Sequence, residues 1–250
     1  MFKKWLKLCY STGDVIITPT EYSKDLIESY GINKPVYALS NGVDTDFFAP
    51  DAGRRNEFRS KYDLDSNDKA VISVGHYIAR KGITEFIELA RTMPDVHFFW
   101  FGYTSPGLIP QEISAAIKNA PSNLTFPGFV DREELRTAYC GCDLFCFMSH
   151  EETEGIVVLE ALACGIPVLV RDIPVYEGWL ADGENVDKCD DDISFHKKAL
   201  AVLNGSADDL TEAGRRTAEN RSIQRAASEL MLIHRDTLNL CPSAHAVTIS

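Results

Sequence analysis

From residue 69 onward, short apolar runs alternate with helix-like stretches, and few architectures accept that rhythm. Residues 70–75, 96–101, 124–126, 144–148 and 167–170 read as strands. Residues 82–93, 109–119, 131–139 and 156–163 read as helices, the first with Phe86, Ile87, Leu89 and Ala90 on its inward face. Asp131 is placed to cap the third, with Glu134 in the capping-box position. Strands that are apolar throughout and separated by helices must bury both faces. The expectation is an α/β fold, a Rossmann-like doubly wound parallel sheet. Ahead of this region lie a strand at 14–19, a capped helix at 20–31, and a strand at 36–39 running into the turn Ser40-Asn41-Gly42-Val43-Asp44. Residues 51–69 read as a surface helix and loop, and helices near 193–204, 208–219 and 222–238 close the chain.

Composition narrows the function classes. The 250 residues are 45% hydrophobic and 25% charged, ordinary for a globular chain with one large core or two modest ones. A net charge of −12 argues against generic nucleic-acid binding. It does not argue against an anionic nucleotide, because a few local N–H groups and cations override the global sign. No apolar run is long enough for a spanning helix. The start carries Lys3, Lys4 and Lys7 and reads as a surface helix, with association at a membrane surface left open. Cys9, Cys140, Cys142, Cys146, Cys164, Cys189 and Cys241 form an odd set without zinc spacing. They read as buried reduced thiols, which implies the cytoplasm, with peripheral association at the inner face of the membrane left open.

Chemistry concentrates where strands end. Glu152 and Glu160 flank a helix start opened by Gly155. On one helix such a spacing brings two positions to within roughly 80° of each other, but Glu152 precedes the glycine and belongs to the feeding loop. The N–H groups of Gly155, Ile156 and Val157 are those that a helix start leaves unpartnered, and they suit a phosphate. The two acids can then hold the polar ends of a nucleotide-sugar, Glu160 the ribose and Glu152 the sugar. Glu154, between them, joins the expected binding set. Gly75 and His76 follow the first strand of the series, and Arg80 or Lys81 can meet a diphosphate, Lys81 ahead of Arg80. His76 reads as a phosphate partner or a packing residue rather than a general base. Residues 127–135 by themselves read as an ordinary strand-to-helix link; in a shared cleft, Phe129 or Val130 would lie against a base. Residues 172–179 are placed at the rim. All these segments follow strands, as does Gly102-Tyr103 after the second strand of the series, which points to one cleft at the carboxyl edge of the sheet.

The chain has no P-loop, no Gly-x-Gly-x-x-Gly, no Gly-x-Ser-x-Gly and no His-Glu-x-x-His, which removes the usual kinase, dehydrogenase, hydrolase and zinc-protease readings. The Asn41-Gly42-Val43-Asp44 turn, the strand-end glycine with Lys81-Gly82, and Glu152-x7-Glu160, in this order, resemble the family-4 retaining glycosyltransferases of the GT-B fold. Residues 151–160 together with 171–179 look like the bacterial diacylglycerol α-glucosyltransferases that make membrane glycolipids. The resemblance implies a hexose moved with retention from a nucleotide-sugar, plausibly UDP-glucose, to a lipid or sugar acceptor, without a catalytic metal or other cofactor. Carried over, Glu160 binds ribose, Glu152 sits by the donor sugar, Lys81 serves the diphosphate, and residues 155–157 offer N–H groups to phosphate.

Two departures qualify it. The family commonly has an arginine directly after the strand-end glycine, where this chain has His76. Arg80 then takes the missing role, or the phosphate grip is weaker. The chain is also short for a two-domain enzyme. Residues 1–40 are expected to be the remnant of an N-terminal domain and linker, and residues 41–250 the nucleotide-sugar-binding domain. The expectation is a truncated donor half that binds donor and transfers little by itself. A catalytically inactive or interaction-only module is the alternative.

Overall fold

The computed structural model describes residues 2–240. α1 (Phe2–Ser11) precedes a small unit of β1 (Ile16–Thr18), α2 (Glu21–Glu28) and β2 (Val36–Ala38), with Ile16 opposite Val36 in a parallel pair. Then come α3 (Ala52–Lys61), β3 (Lys69–Val74), α4 (Ile83–Thr92), β4 (Val96–Phe101), α5 (Gln111–Lys118), β5 (Leu124–Gly128) and α6 (Arg132–Gly141). β6 (Leu144–Phe147), α7 (Ile156–Ala163), β7 (Val168–Arg171), β8 (Asp187–Cys189), α8 (Asp192–Leu203), α9 (Thr211–Asn220) and α10 (Ile223–Leu240) complete it. The main sheet has six parallel strands in the order β5-β4-β3-β6-β7-β8. The order in which strands are added reverses between β3 and β6, so the crevice beyond their carboxyl ends is where a doubly wound sheet receives a ligand.

The sheet is buried on both faces, which is why its strands read as unbroken apolar runs. Along β4, Phe98 and Trp100 pack with Phe86 and Ile87 of α4, whereas Phe99 and Phe101 join Phe58, Phe145 and Phe147 on the other face. Each such ring contributes roughly 1.5–3 kcal/mol of transfer free energy. The inward residues anticipated on α4, namely Phe86, Ile87, Leu89 and Ala90, are all buried.

Two expectations are corrected, and one element had gone unread. α3 is not merely a surface helix: Phe58 is buried, Gly141 of α6 packs against it, and Arg55 and Arg59 both reach Asp143. At α6 only half of the capping box forms. Asp131 accepts from the Glu134 N–H at 2.8 Å, but the Glu134 carboxylate pairs with Lys61 instead. β8 had not been anticipated, because a short edge strand with a single apolar residue leaves no pattern to read.

Cys140, Cys142, Cys146, Cys164 and Cys189 are buried free thiols, and Cys9 is an exposed one; Cys241 lies outside the described residues. Burial pushes the Cys142 and Cys146 thiols upward, which makes them poor nucleophiles. Among the described residues no cluster is suited to a metal ion, and no helix is long and apolar enough to cross a membrane.

Candidate functional site

A cleft of about 310 Å³ opens at the switch point, lined by Val74, Gly75, His76, Lys81, Val130 and Val157 together with Tyr103 and Phe129. Its floor is built from close backbone contacts. The Gly75 N–H donates to the Phe101 carbonyl at 2.9 Å, and the Gly75 carbonyl accepts from the Trp100 indole at 2.9 Å. Gly102 sits over that carbonyl at φ 137°, where a Cβ would come within 2.1 Å of the oxygen. A side chain is therefore excluded at Gly102 by contact as well as by φ. His76 Nδ1 lies 2.8 Å from the Tyr103 carbonyl, fixing the ring at the cleft wall.

The turn from β3 into α4 separates the two basic residues. Lys81 enters the cleft and meets Glu152 at 2.5 Å, with both side chains largely buried and the ammonium 5.4 Å from the centre of the Phe147 ring. Arg80 is turned to the Glu151 carbonyl at 2.8 Å, so it braces the 149–155 loop. The structure thus gives the cleft Lys81 and His76 and not Arg80.

α7 begins at Gly155, whose φ of 84° and missing side-chain cap leave the helix start bare. The N–H groups of Gly155, Ile156 and Val157 meet no protein acceptor among the described residues. A Cβ at Gly155 would lie 3.0 Å from the buried Tyr176 hydroxyl, which has no hydrogen-bond partner among the described residues. Glu160, one turn further along α7, accepts a hydrogen bond from the Tyr139 hydroxyl at 3.0 Å. Burial pushes its carboxyl up to about 7, against the opposing pull of Tyr139 and Arg132. Glu154 departs from expectation. Its carboxylate is held by Ser40, Asn41 and Arg221, none of which lines the cleft, because the chain bends at Thr153–Glu154. Trp179 of the expected rim segment instead carries the Arg221 guanidinium, 4.5 Å from the ring centre.

The Glu160 value has a stability consequence. Its folded value lies above the ordinary carboxylate value, so both states are protonated in acid and no penalty exists there. As pH rises through the window from 4.5 to about 7, the unfolded chain ionises first and stability falls. Above that window the penalty is on the order of 3 kcal/mol. Glu160→Gln is therefore expected to raise the urea midpoint at pH 8 and leave it unchanged near pH 4.5. An equal shift at both pH values would contradict the assignment.

The family profile of the glycosyl transferases group 1 matches residues 54–221. The chain belongs to that family. A processive diacylglycerol α-glucosyltransferase of Acholeplasma laidlawii is 44% identical over 240 residues, covering 96% of this chain and 72% of the relative. An α-galactosylglucosyldiacylglycerol synthase of Streptococcus pneumoniae is 35% identical, covering 65% and 44%. Anabaena HepE, solved with UDP and glucose, superposes with a TM-score of 0.84 at 15% identity, covering 94% of this chain and 66% of that one. Sucrose-phosphate synthase from Thermosynechococcus elongatus also gives 0.84, at 19% identity, covering 95% and 62%. The two solved structures establish that this group 1 glycosyl transferase shares the GT-B architecture. It spans 44% of the second curated relative and under two thirds of the synthase.

Gly102 and Tyr103, expected at the cleft because they directly follow a strand, do line it. The sequence reading missed Tyr139, whose link to Glu160 no local signal carries.

Proposed function

We propose that this chain carries the donor side of a retaining glycosyl transfer, with a UDP-hexose such as UDP-glucose as donor and a diacylglycerol-type lipid as acceptor. The observation that carries the reading is that the switch-point cleft is lined both by Lys81, paired with buried Glu152, and by Val157 at the bare start of α7, the helix that carries Glu160. The 44% identity to a diacylglycerol α-glucosyltransferase supports the choice of sugar and acceptor.

In this reading the base lies by Val130 and Tyr103, and the ribose hydroxyls donate to Glu160. The diphosphate takes the N–H groups of 155–157 and draws Lys81 away from Glu152. Glu152, freed from its partner, is left beside the sugar. The charge that grows on the departing diphosphate is met by the α7 N-terminus and Lys81, so the step is assigned to these groups and not to a catalytic metal. An acceptor lipid has to be approached from a membrane surface, which makes peripheral association at the cytoplasmic face part of the proposal.

Incubation with UDP-glucose and diacylglycerol vesicles, with the product linkage read by NMR, tests the whole reading. Any glucosyl lipid formed is expected to be α-linked, in low yield from the donor side by itself. A β-linked one overturns retention. UDP-glucose binding without product fits a donor side that does not transfer by itself, and a folded chain that binds no UDP-glucose supports the interaction-only alternative.

A further inference from the structure

Glu154 stands one residue before the helix start that faces the cleft, is only 1% exposed, and has no cleft partner. One carboxylate oxygen accepts from the Ser40 hydroxyl and from Arg221 Nη1 at 3.4 Å. The other accepts from the Asn41 N–H at 3.1 Å and its side-chain amide at 2.7 Å. These partners sit where two segments cross: the Val43 N–H donates to the Arg221 carbonyl at 3.0 Å, and the Ile223 N–H donates to the Val43 carbonyl at 2.9 Å. The adjacent Thr153 carbonyl accepts from the Thr20 and Ser23 hydroxyls, at 3.1 and 3.3 Å, at the start of α2.

The segment 151–155 is therefore held from two directions. On the cleft side, Arg80 holds the Glu151 carbonyl and Lys81 holds Glu152. On the other side, the β1–α2–β2 unit and the 40–43/221–223 crossing hold Thr153 and Glu154. A buried carboxylate that accepts several hydrogen bonds fixes its donors in direction as well as distance, and leaving any of them unpaired is costly.

We propose that Glu154 is a positioning residue that couples occupancy of the cleft to the seat of the β1–α2–β2 unit and its crossing. The proposal rests on the donor reading. A diphosphate that loads the 155–157 N–H groups and draws Lys81 off Glu152 acts on the peptide next to Glu154. The carboxylate passes that constraint to Ser40, Asn41 and Arg221. By reciprocity, the seat of the unit then sets donor affinity.

Hydrogen exchange of the full chain with and without UDP tests this. In the wild type, UDP is expected to slow exchange at residues 155–158 and at the remote amides of Asn41, Val43 and Ile223. In Glu154→Gln the remote protection is expected to vanish while that at 155–158 persists, with UDP affinity lower by roughly five- to tenfold. The reciprocal Glu154→Gln/Asn41→Asp pair, which reverses donor and acceptor across the contact, is expected to restore part of both. A merely structural role would lower stability without separating the two protection patterns. Remote protection that survives in Glu154→Gln, or is absent in a wild type protected at 155–158, overturns the coupling. No protection anywhere in the wild type overturns the donor reading and the coupling with it. Asn41→Ala gives the same readout if Glu154→Gln does not fold.

Discussion

Gly102→Ala is expected to lower stability by about 4 kcal/mol, at the upper end for a single added methyl. The new Cβ would lie 2.1 Å from the Gly75 carbonyl oxygen and 2.9 Å from its carbon. Neither atom can retreat, because that oxygen accepts from Trp100, which is fully buried between the sheet and α4. Nor can Gly102 move, since its own N–H donates to the Gly128 carbonyl at 2.9 Å. Relief requires parting β3, β4 and β5 where they form the cleft floor. Urea unfolding measures the loss, with Gly107→Ala as the control, because nothing lies within 4 Å of a Cβ there. Equal midpoints for the two variants would contradict the account.

Lys81→Met is the second large effect, and it separates fold from function. The side chains of Lys81 and Glu152 are 14% and 8% exposed, so removing the ammonium strands a carboxylate out of water. Breaking such a pair from one side costs about 3–5 kcal/mol, whereas removing both charges is often neutral. The variant Lys81→Met/Glu152→Gln is therefore expected to recover most of the stability. UDP affinity is not expected to recover, because the cation meant for the diphosphate is gone. A charge-assisted contact of about 2–3 kcal/mol corresponds to a loss near a hundredfold. Calorimetric titration of both variants, beside urea unfolding, reads the two quantities apart. UDP affinity returning with stability in the double variant would show that Lys81 acts only through folding.

Local pattern carried the architecture where the chain announces itself locally. Residues 96–101 are apolar throughout and form β4 over that same range, and Ile156–Ala163 forms α7 as read. Thr20 and Asp131 act as the helix caps their positions suggest. What could not be read depends on partners distant in sequence. α3 is anchored by Phe58 against α6 and by Arg55 and Arg59 on Asp143, so its burial is decided more than eighty residues away. Glu152 and Glu154 are chemically identical in the sequence, and only the bend between them sends one to Lys81 and the other to Asn41. Arg80 and Lys81 are adjacent, yet the turn gives one to a loop carbonyl and the other to the cleft. The value of Glu160 near 7 follows from its burial beside Tyr139 on α6, which no spacing along α7 reveals.

The donor cleft is the centre of the account, and calorimetric titration of the folded chain with UDP, UDP-glucose and GDP-mannose tests it most directly, with Glu160→Ala alongside. The account predicts binding of UDP and UDP-glucose that is lost in Glu160→Ala, where the acceptor for the ribose hydroxyls is missing. A folded chain that binds none of the three, or a Glu160→Ala variant that binds UDP as tightly as the wild type, would contradict it.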